Sequence, residues 1–409
     1  MTVESERAAD ARSALARCIS VPEPEFADDY WGKQPLLSRA AGDFSDLFSL
    51  DAVDELVANR AIRTPFVRMA NEGTLLANSR YTGSAGFGAE VGDQLDSDKV
   101  LAEFAGGATL VLQGLHRTWA PLREFTRRLI DELGHPAQVN AYVTPASSRG
   151  FDPHYDVHDG FLIQIHGQKH WVIHPPVHQD PLRDQPWSDH ADAVAAQAAG
   201  EPAIDATFSP GDVLYLPRGW IHSATALGGT SIHLTIGVEA FTQWDVVQQL
   251  VKSLADDPAL RSSLPVRSVG RDPEAFTAFV MQASELMRER LLSRENDEAI
   301  TEHLAAALRR STRPEPLRPI STVDELDAIT GDSTVRWRAG MASRVDSTRD
   351  VVKIVLDSKT VTLPGEARSA IEALADGHPV AAGSLVDLDT ASSLVVARRL
   401  VREGILVLR

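Results

Sequence analysis

His154-Tyr155-Asp156 sets an imidazole and a carboxylate two residues apart, and the run from Gly211 to His222 ends in a second histidine. Two imidazoles and one carboxylate are the ligand set of a non-haem Fe(II) oxygenase, which leaves three coordination positions open. A His-x-Asp pair alone arises by chance on any polar strand face, because residues i and i+2 point the same way. Three further features favour the metal reading. The stretch Ser147-Ser148-Arg149-Gly150 reads as a turn that would put His154 and Asp156 at the mouth of a barrel strand. Pro217-Arg218-Gly219 is a tight turn that can deliver His222 inward. Lys169 falls on the strand after an expected hairpin, where its ammonium can meet a carboxylate-bearing cosubstrate.

The elements that must position these groups are strands. From Gln138 to Thr144, Val139, Ala141 and Val143 alternate with Asn140, Tyr142 and Thr144. Phe161–Ile165 and Lys169–Ile173 flank His166-Gly167-Gln168, which reads as a hairpin turn. Asp212–Leu216 and Ser231–Val238 are further strands. Many short strands without intervening helices suggest an antiparallel barrel or double-sheet jelly roll, whose interior suits a buried metal. Asn140, Tyr142 and Thr235 are the candidate polar wall of such a pocket. With Lys169 facing inward, His170 and His174 face outward as surface or interface residues. His158 remains a competing ligand, and His233, which shares a strand face with Thr235 and so can line the pocket, is read first as a core histidine.

Around this β-region the periodicity is helical. Leu50–Val57 and Arg117–Leu133 precede it; Asp245–Leu254, Glu274–Leu292 and Asp297–Leu308 follow. The proline-punctuated stretch Thr312–Ile320 is the best boundary in the chain. Beyond it, a strand at Val351–Leu356, helices at Glu366–Ala375 and Thr390–Glu403, and a strand at Ile405–Leu408 resemble a winged helix.

Composition sets outer bounds. The 409 residues carry a net charge of −17, which argues against coating nucleic acid, and no direct nucleic-acid binding is expected. Cys18 is the only cysteine, which excludes an intrachain disulfide and a cysteine-rich zinc site. The N-terminus from Met1 to Arg7 lacks a basic region followed by an apolar stretch, and no run of about 18 apolar residues occurs. A cytoplasmic protein without a membrane anchor is expected.

Three segments resemble the JmjC-type 2-oxoglutarate oxygenases, and among these the ribosomal oxygenase branch: Pro153–Asp156, Phe161–Trp171 with Gly167 and Lys169, and Gly211–His222. Asn140 and Tyr142 fit the same pattern, as does the entry segment Tyr30-Trp31-Gly32-Lys33-Gln34-Pro35-Leu36-Leu37. The resemblance implies an α+β chain. Residues 1–240 would form a double-stranded β-helix (a JmjC/cupin-like jelly roll) with N-terminal helical elements. Residues 241–311 would be a helical dimerisation region, and 321–409 a winged helix. It further implies Fe(II) on His154, Asp156 and His222, 2-oxoglutarate with its distal carboxylate on Lys169, and O₂ as the oxidant. A protein substrate, as in members that hydroxylate ribosomal proteins, and a homodimer are implied as partners. Two alternatives stay open: the same chemistry on a small molecule or biosynthetic peptide, and a non-catalytic cupin or winged-helix regulator.

Overall fold

The alternation that begins at Ala137 builds one strand of a large antiparallel sheet, whose inner face carries the candidate site. The structure, a computed structural model, describes residues 13–88, 90–146, 148, 152–264, 273–292 and 297–409. The turn expected at Ser147-Ser148-Arg149-Gly150, apart from Ser148, and the N-terminal residues 1–7 lie outside the described residues. The chain divides into two compact units, Met1–Ala240 and Phe241–Arg409.

The strands of the first unit are Leu36–Ser38 (β1), Val67–Asn71 (β2), Thr74–Leu75 (β3), Thr82–Gly83 (β4), Gln94–Leu95 (β5), Thr109–Leu112 (β6), Ala137–Thr144 (β7), Asp159–His174 (β8), Ile204–Phe208 (β9), Val213–Leu216 (β10) and Ile221–Val238 (β11). The main sheet runs β1-β10-β8-β11-β7-β6-β2-β3, with β9 paired to β8, while β4 and β5 pair with each other.

The expected hairpin at His166-Gly167-Gln168 is absent. Phe161–Ile165 and Lys169–Ile173 are two halves of the single strand β8. Both halves pair with β11, which runs alongside from Ile221↔His174 to Val238↔Asp159 with register shifts between Leu227 and His233. The expected strand Ser231–Val238 is accordingly only the second half of β11. On its other edge β8 holds β10 with its first half and β9 with its second. Residues of both halves of β8 and of β11 line a cavity.

Gly167 is the pivot. Its φ is +62°, and a Cβ there would lie 2.2 Å from the Thr230 carbonyl oxygen of β11. The swerve also switches facing: Gly160 and Leu162 line the cavity before it, Lys169 and Trp171 after it. An unbroken period of two would have turned Lys169 outward. Gly167→Ala is expected to destabilise the first unit by at least about 2 kcal/mol, because left-handed strain and a backbone clash act together. The urea midpoint of that unit measures it, and an unchanged midpoint would contradict the pivot role.

The helix expected over Arg117–Leu133 is two helices, Leu115–Thr118 and Ala120–Leu133, broken at an extended Trp119 (φ −120°, ψ 117°). Pro121 has no N–H to give the Arg117 carbonyl, and its ring crowds that turn. Leu50–Asn59 forms as a helix, with the Ser49 side chain accepting from the Ala52 amide.

The second unit contains helices Gln243–Ser253, Pro273–Leu292, Asp297–Ser311, Pro319–Glu325, Arg368–Ala375 and Thr390–Arg402. Its strands are Thr334–Trp337 (β12), Ser343–Ser347 (β13), Val351–Leu356 (β14), Thr360–Pro364 (β15), Val380–Ala381 (β16) and Leu406–Leu408 (β17). They form a sheet β16-β12-β17 and a meander β13-β14-β15 over a core that includes Val335, Ile354, Ile371 and Leu400. Of these strands β12, β13, β15 and β16 were not anticipated.

Candidate metal centre

His154 and His222 meet across an isolated antiparallel bridge: the His154 amide donates to the His222 carbonyl at 3.2 Å, and the His222 amide to the His154 carbonyl at 2.8 Å. Their ring centroids lie 4.5 Å apart. Asp156, on the same face as His154, brings Oδ2 to 3.7 Å from His222 Nε2. One ligand atom from each of the three lies within 4.8 Å of the others, and among the described residues no second such group occurs.

The turn before β11 fixes this arrangement. The Gly219 amide donates to the Asp156 carbonyl at 3.0 Å. Gly219 has φ +86°, and a Cβ there would lie 2.7 Å from the His178 carbonyl oxygen. Tyr155, between the two polar residues, is buried with Val194 and Ile221. Its hydroxyl donates to the Gln185 carbonyl at 3.2 Å.

Protonation favours metal binding. His154 Nδ1 lies 2.7 Å from the Asp152 carbonyl and His222 Nδ1 3.1 Å from that of Trp220. A carbonyl only accepts, so each Nδ1 carries the hydrogen and each Nε2 presents its lone pair. Burial lowers the His154 pKa, against the pull of Asp156. Burial, helped by His154, takes His222 down to about 4. Both imidazoles are thus neutral at ordinary pH. Burial alone would raise the Asp156 carboxyl, but His158, His222, His154 and Arg68 together hold it below its usual value.

Lys169 enters the same cavity from β8 and is 2% exposed. Its Nζ donates to Thr144 Oγ1 at 3.2 Å and contacts His233 Nδ1 at 3.3 Å. Burial lowers its pKa from 10.5 to about 7. Asp156 is the sole carboxylate lining the cavity among the described residues.

Tyr142 and Thr235 line the cavity, but Asn140 does not. It lies further out along the same strand face, where its Oδ1 accepts from the Gly114 amide at 3.0 Å. His158 lines the cavity outside the ligand trio, its ring against Gly237, where a Cβ would lie 2.9 Å away. His170 faces out and meets Asp205 at 2.9 Å. His174, expected as an outward-facing surface or interface residue, is buried within the chain at 3% exposure. It shares a covered face with its register partner Ile221, which packs on Tyr155 and Val194. Thr109, Thr144, Trp171 and Trp220 are lining residues that sequence reasoning did not assign, and His233, read from sequence as a core histidine before a pocket residue, lines the cavity as well. Thr144 was signalled by its shared face with Tyr142, and Trp171 by its shared face with Lys169. Arg68 hydrogen-bonds Tyr142, whose pKa burial raises.

Known proteins resemble this chain in sequence and fold. The JmjC domain family matches residues 118–246. Ribosomal oxygenase 1 of Gallus gallus is 27% identical over 345 residues, 80% of this chain and 54% of that protein. Ribosomal oxygenase 2 of Mus musculus is 39% identical over 136 residues, 31% of this chain and 28% of that protein. The bifunctional lysine-specific demethylase and histidyl-hydroxylase NO66 of Drosophila pseudoobscura pseudoobscura is 24% identical over 245 residues, 59% of this chain and 24% of that protein. The chain thus spans between 24% and 54% of the length of these curated relatives. Among solved structures, the Escherichia coli ribosomal oxygenase YcfD in complex with cobalt and 2-oxoglutarate superposes with a TM-score of 0.53 at 19% identity, covering 96% of this chain and 99% of that one. The fold is therefore of the JmjC, cupin-like kind.

Proposed function

We propose that this chain, whose residues 118–246 form a JmjC domain, is a 2-oxoglutarate- and Fe(II)-dependent oxygenase that hydroxylates a protein side chain, with a ribosomal protein as the first candidate. One observation carries the reading. A cavity that gathers two neutral imidazoles and an ionised carboxylate also holds a buried lysine with no carboxylate partner among the described lining residues.

The donors fit the group. His154 Nε2, His222 Nε2 and an Asp156 oxygen would hold Fe(II) and leave three positions for 2-oxoglutarate and O₂. When bound, the iron and 2-oxoglutarate supply the oxidation: the cosubstrate leaves as succinate and CO₂, and one oxygen atom goes to the target C–H. The protein's own groups position and shield. Lys169 receives the distal carboxylate of the cosubstrate, with Tyr142 and Thr235 on the adjoining wall. The carbonyls of Asp152 and Trp220 hold both imidazoles in the ligating tautomer. Leu162, Leu216 and Trp171 keep the wall apolar and so limit water.

The relatives' names support a protein target. Exposed Trp244, Val247 and Val251 on one helix, with Val280 and Met281 on the next, support a homodimer formed through residues 241–311. The helices and strands after Pro319 support a winged helix over 321–409. None of the described helices is long and apolar enough to cross a membrane.

The protein loaded with Fe(II) is expected to form succinate from 2-oxoglutarate and to lose that turnover on chelation. Absence of turnover in the loaded protein would overturn the reading. The target is identified by comparing ribosomal proteins from cells with and without this chain for a mass gain of one oxygen atom.

A further inference from the structure

His233 is buried at 4% exposure, lines the cavity, and is not one of the three candidate metal ligands. Its ring is clamped. The Tyr142 ring stacks on it at 4.9 Å with an interplanar angle of 6°, and Trp171 meets it edge-on at 5.1 Å and 88°. The clamp fixes where Nδ1 points, and it points to Lys169 Nζ at 3.3 Å.

In the protonated form that meets an anion, Lys169 is an ammonium with three hydrogens and no lone pair, so the contacts of that form are acceptors. Thr144 Oγ1 takes one hydrogen at 3.2 Å and His233 Nδ1 a second, which leaves the third for the cavity. We propose that His233 is the positioning residue of the anion subsite: as a neutral acceptor it aims Lys169 at the incoming carboxylate of 2-oxoglutarate without neutralising its charge. The proposal rests on the oxygenase reading above.

The choice of residue has a physical reason. An Asp or Glu at this position would pair with Lys169 and compete with the ligand's own carboxylate. An aliphatic side chain would leave the ammonium free to turn. An imidazole with hydrogen on Nε2 does neither. Burial and the nearby Lys169 charge both push the His233 pKa well down, which keeps the ring neutral. Tyr142 acts through the same ring, and Arg68 acts on Tyr142 in turn. The three strands β2, β7 and β11 thus converge on one ammonium.

The test is calorimetric binding of 2-oxoglutarate to the Mn(II)-loaded full-length protein, together with kcat and KM for the cosubstrate in the Fe(II) form. His233→Leu is expected to raise Kd and KM about tenfold, the scale of one hydrogen bond to a charged group, with kcat at saturation nearly kept. His233→Asn, which restores an oxygen acceptor, should recover most of the loss. Wild-type affinity in the Leu variant, or an Asn variant as weak as Leu, overturns the proposal. A measurement on the wild type needs no variant to fold: ¹⁵N NMR of the imidazoles should show His233 with Nδ1 unprotonated, and a protonated Nδ1 overturns it. Lys169→Met separates the two levels. If it keeps full affinity for 2-oxoglutarate, the oxygenase reading of the pocket fails. If it loses affinity while His233→Leu does not, only the role of His233 fails.

Discussion

Lys169→Met is expected to make the ligand-free protein more stable while removing its affinity for 2-oxoglutarate. Lys169 is 2% exposed, its polar contacts are a hydroxyl and an imidazole, and burial brings its pKa from 10.5 to about 7. For a base whose folded pKa is depressed, the sign is unfavourable. Above pH 10.5 both states are neutral and there is no penalty. Between 10.5 and 7 the unfolded chain binds a proton that the folded one does not, so stability falls as pH falls. Below about 7 the full penalty is present. At about 1.4 kcal/mol per pKa unit, the penalty near neutral pH is about 4 kcal/mol. Methionine fills a similar volume with no charge to desolvate. Unfolding of the first unit at pH 7.5 and 9.5 should show the wild type gaining stability with pH. The variant should be more stable at the lower pH, and its curve should lack that slope. Calorimetry should show 2-oxoglutarate binding weakened by about 100-fold or more, the scale of a lost charged hydrogen-bond pair. A variant no more stable than wild type at pH 7.5 would mean that Lys169 has a partner that compensates its charge. A folded protein retains so costly a residue where a ligand supplies the missing charge.

How far the site could be read from sequence depended on the range of the interaction that decides each residue. His154 and Asp156 are two apart, and so short a separation keeps them together although the structure forms only an isolated bridge at His154 where a strand was expected. His222 is preceded by a turn whose glycine announces itself, so its approach was legible too. The fate of His166-Gly167-Gln168 was not. A glycine between two apolar runs suits a reversal and a swerve alike, and the choice is made by β11, which lies more than 50 residues further on and pairs with both halves. Lys169 was placed inward all the same, on the chemistry of an ammonium that can meet a carboxylate-bearing cosubstrate. His174 was misplaced for the same reason as the hairpin: its cover comes through Ile221, a partner distant in sequence. His233 read as an ordinary core histidine because nothing local to Ser231–Val238 reveals that Lys169 and Tyr142 converge on it. Arg68 had no local signal either, since it reaches Tyr142 from a strand that sequence alone did not assign. The break at Trp119 was written locally, in Pro121, and periodicity simply outweighed it.

Asp156→Ala is expected to abolish divalent-metal binding and 2-oxoglutarate turnover while leaving the metal-free fold intact. The carboxylate is the only anion of the trio, and the neighbouring His158, His222, His154 and Arg68 keep its pKa below the usual value despite burial. Without it two neutral nitrogens remain, and affinity should fall by more than about 100-fold, beyond the 10–100-fold that loss of a supporting residue costs. The fold should tolerate the change, because the structural tie at this position is the backbone: the Gly219 amide donates to the Asp156 carbonyl, which alanine retains. The neighbouring packing belongs to Tyr155, 1% exposed. Thermal unfolding with and without Mn(II) reads both halves of the claim. The wild type should melt higher with metal, as any ligand that binds only the folded state requires. The variant should melt within a few degrees of the metal-free wild type and show no rise when Mn(II) is added. A rise that persists would mean that His158, which already lines the cavity beside Asp156, supplies a third ligand. Tyr155→Ala should give the opposite pattern, a lower melting temperature in the metal-free protein with a metal-induced rise still present. The His-Tyr-Asp tripeptide thereby divides its work, with the outer residues facing the cavity and the middle one holding the segment that presents them.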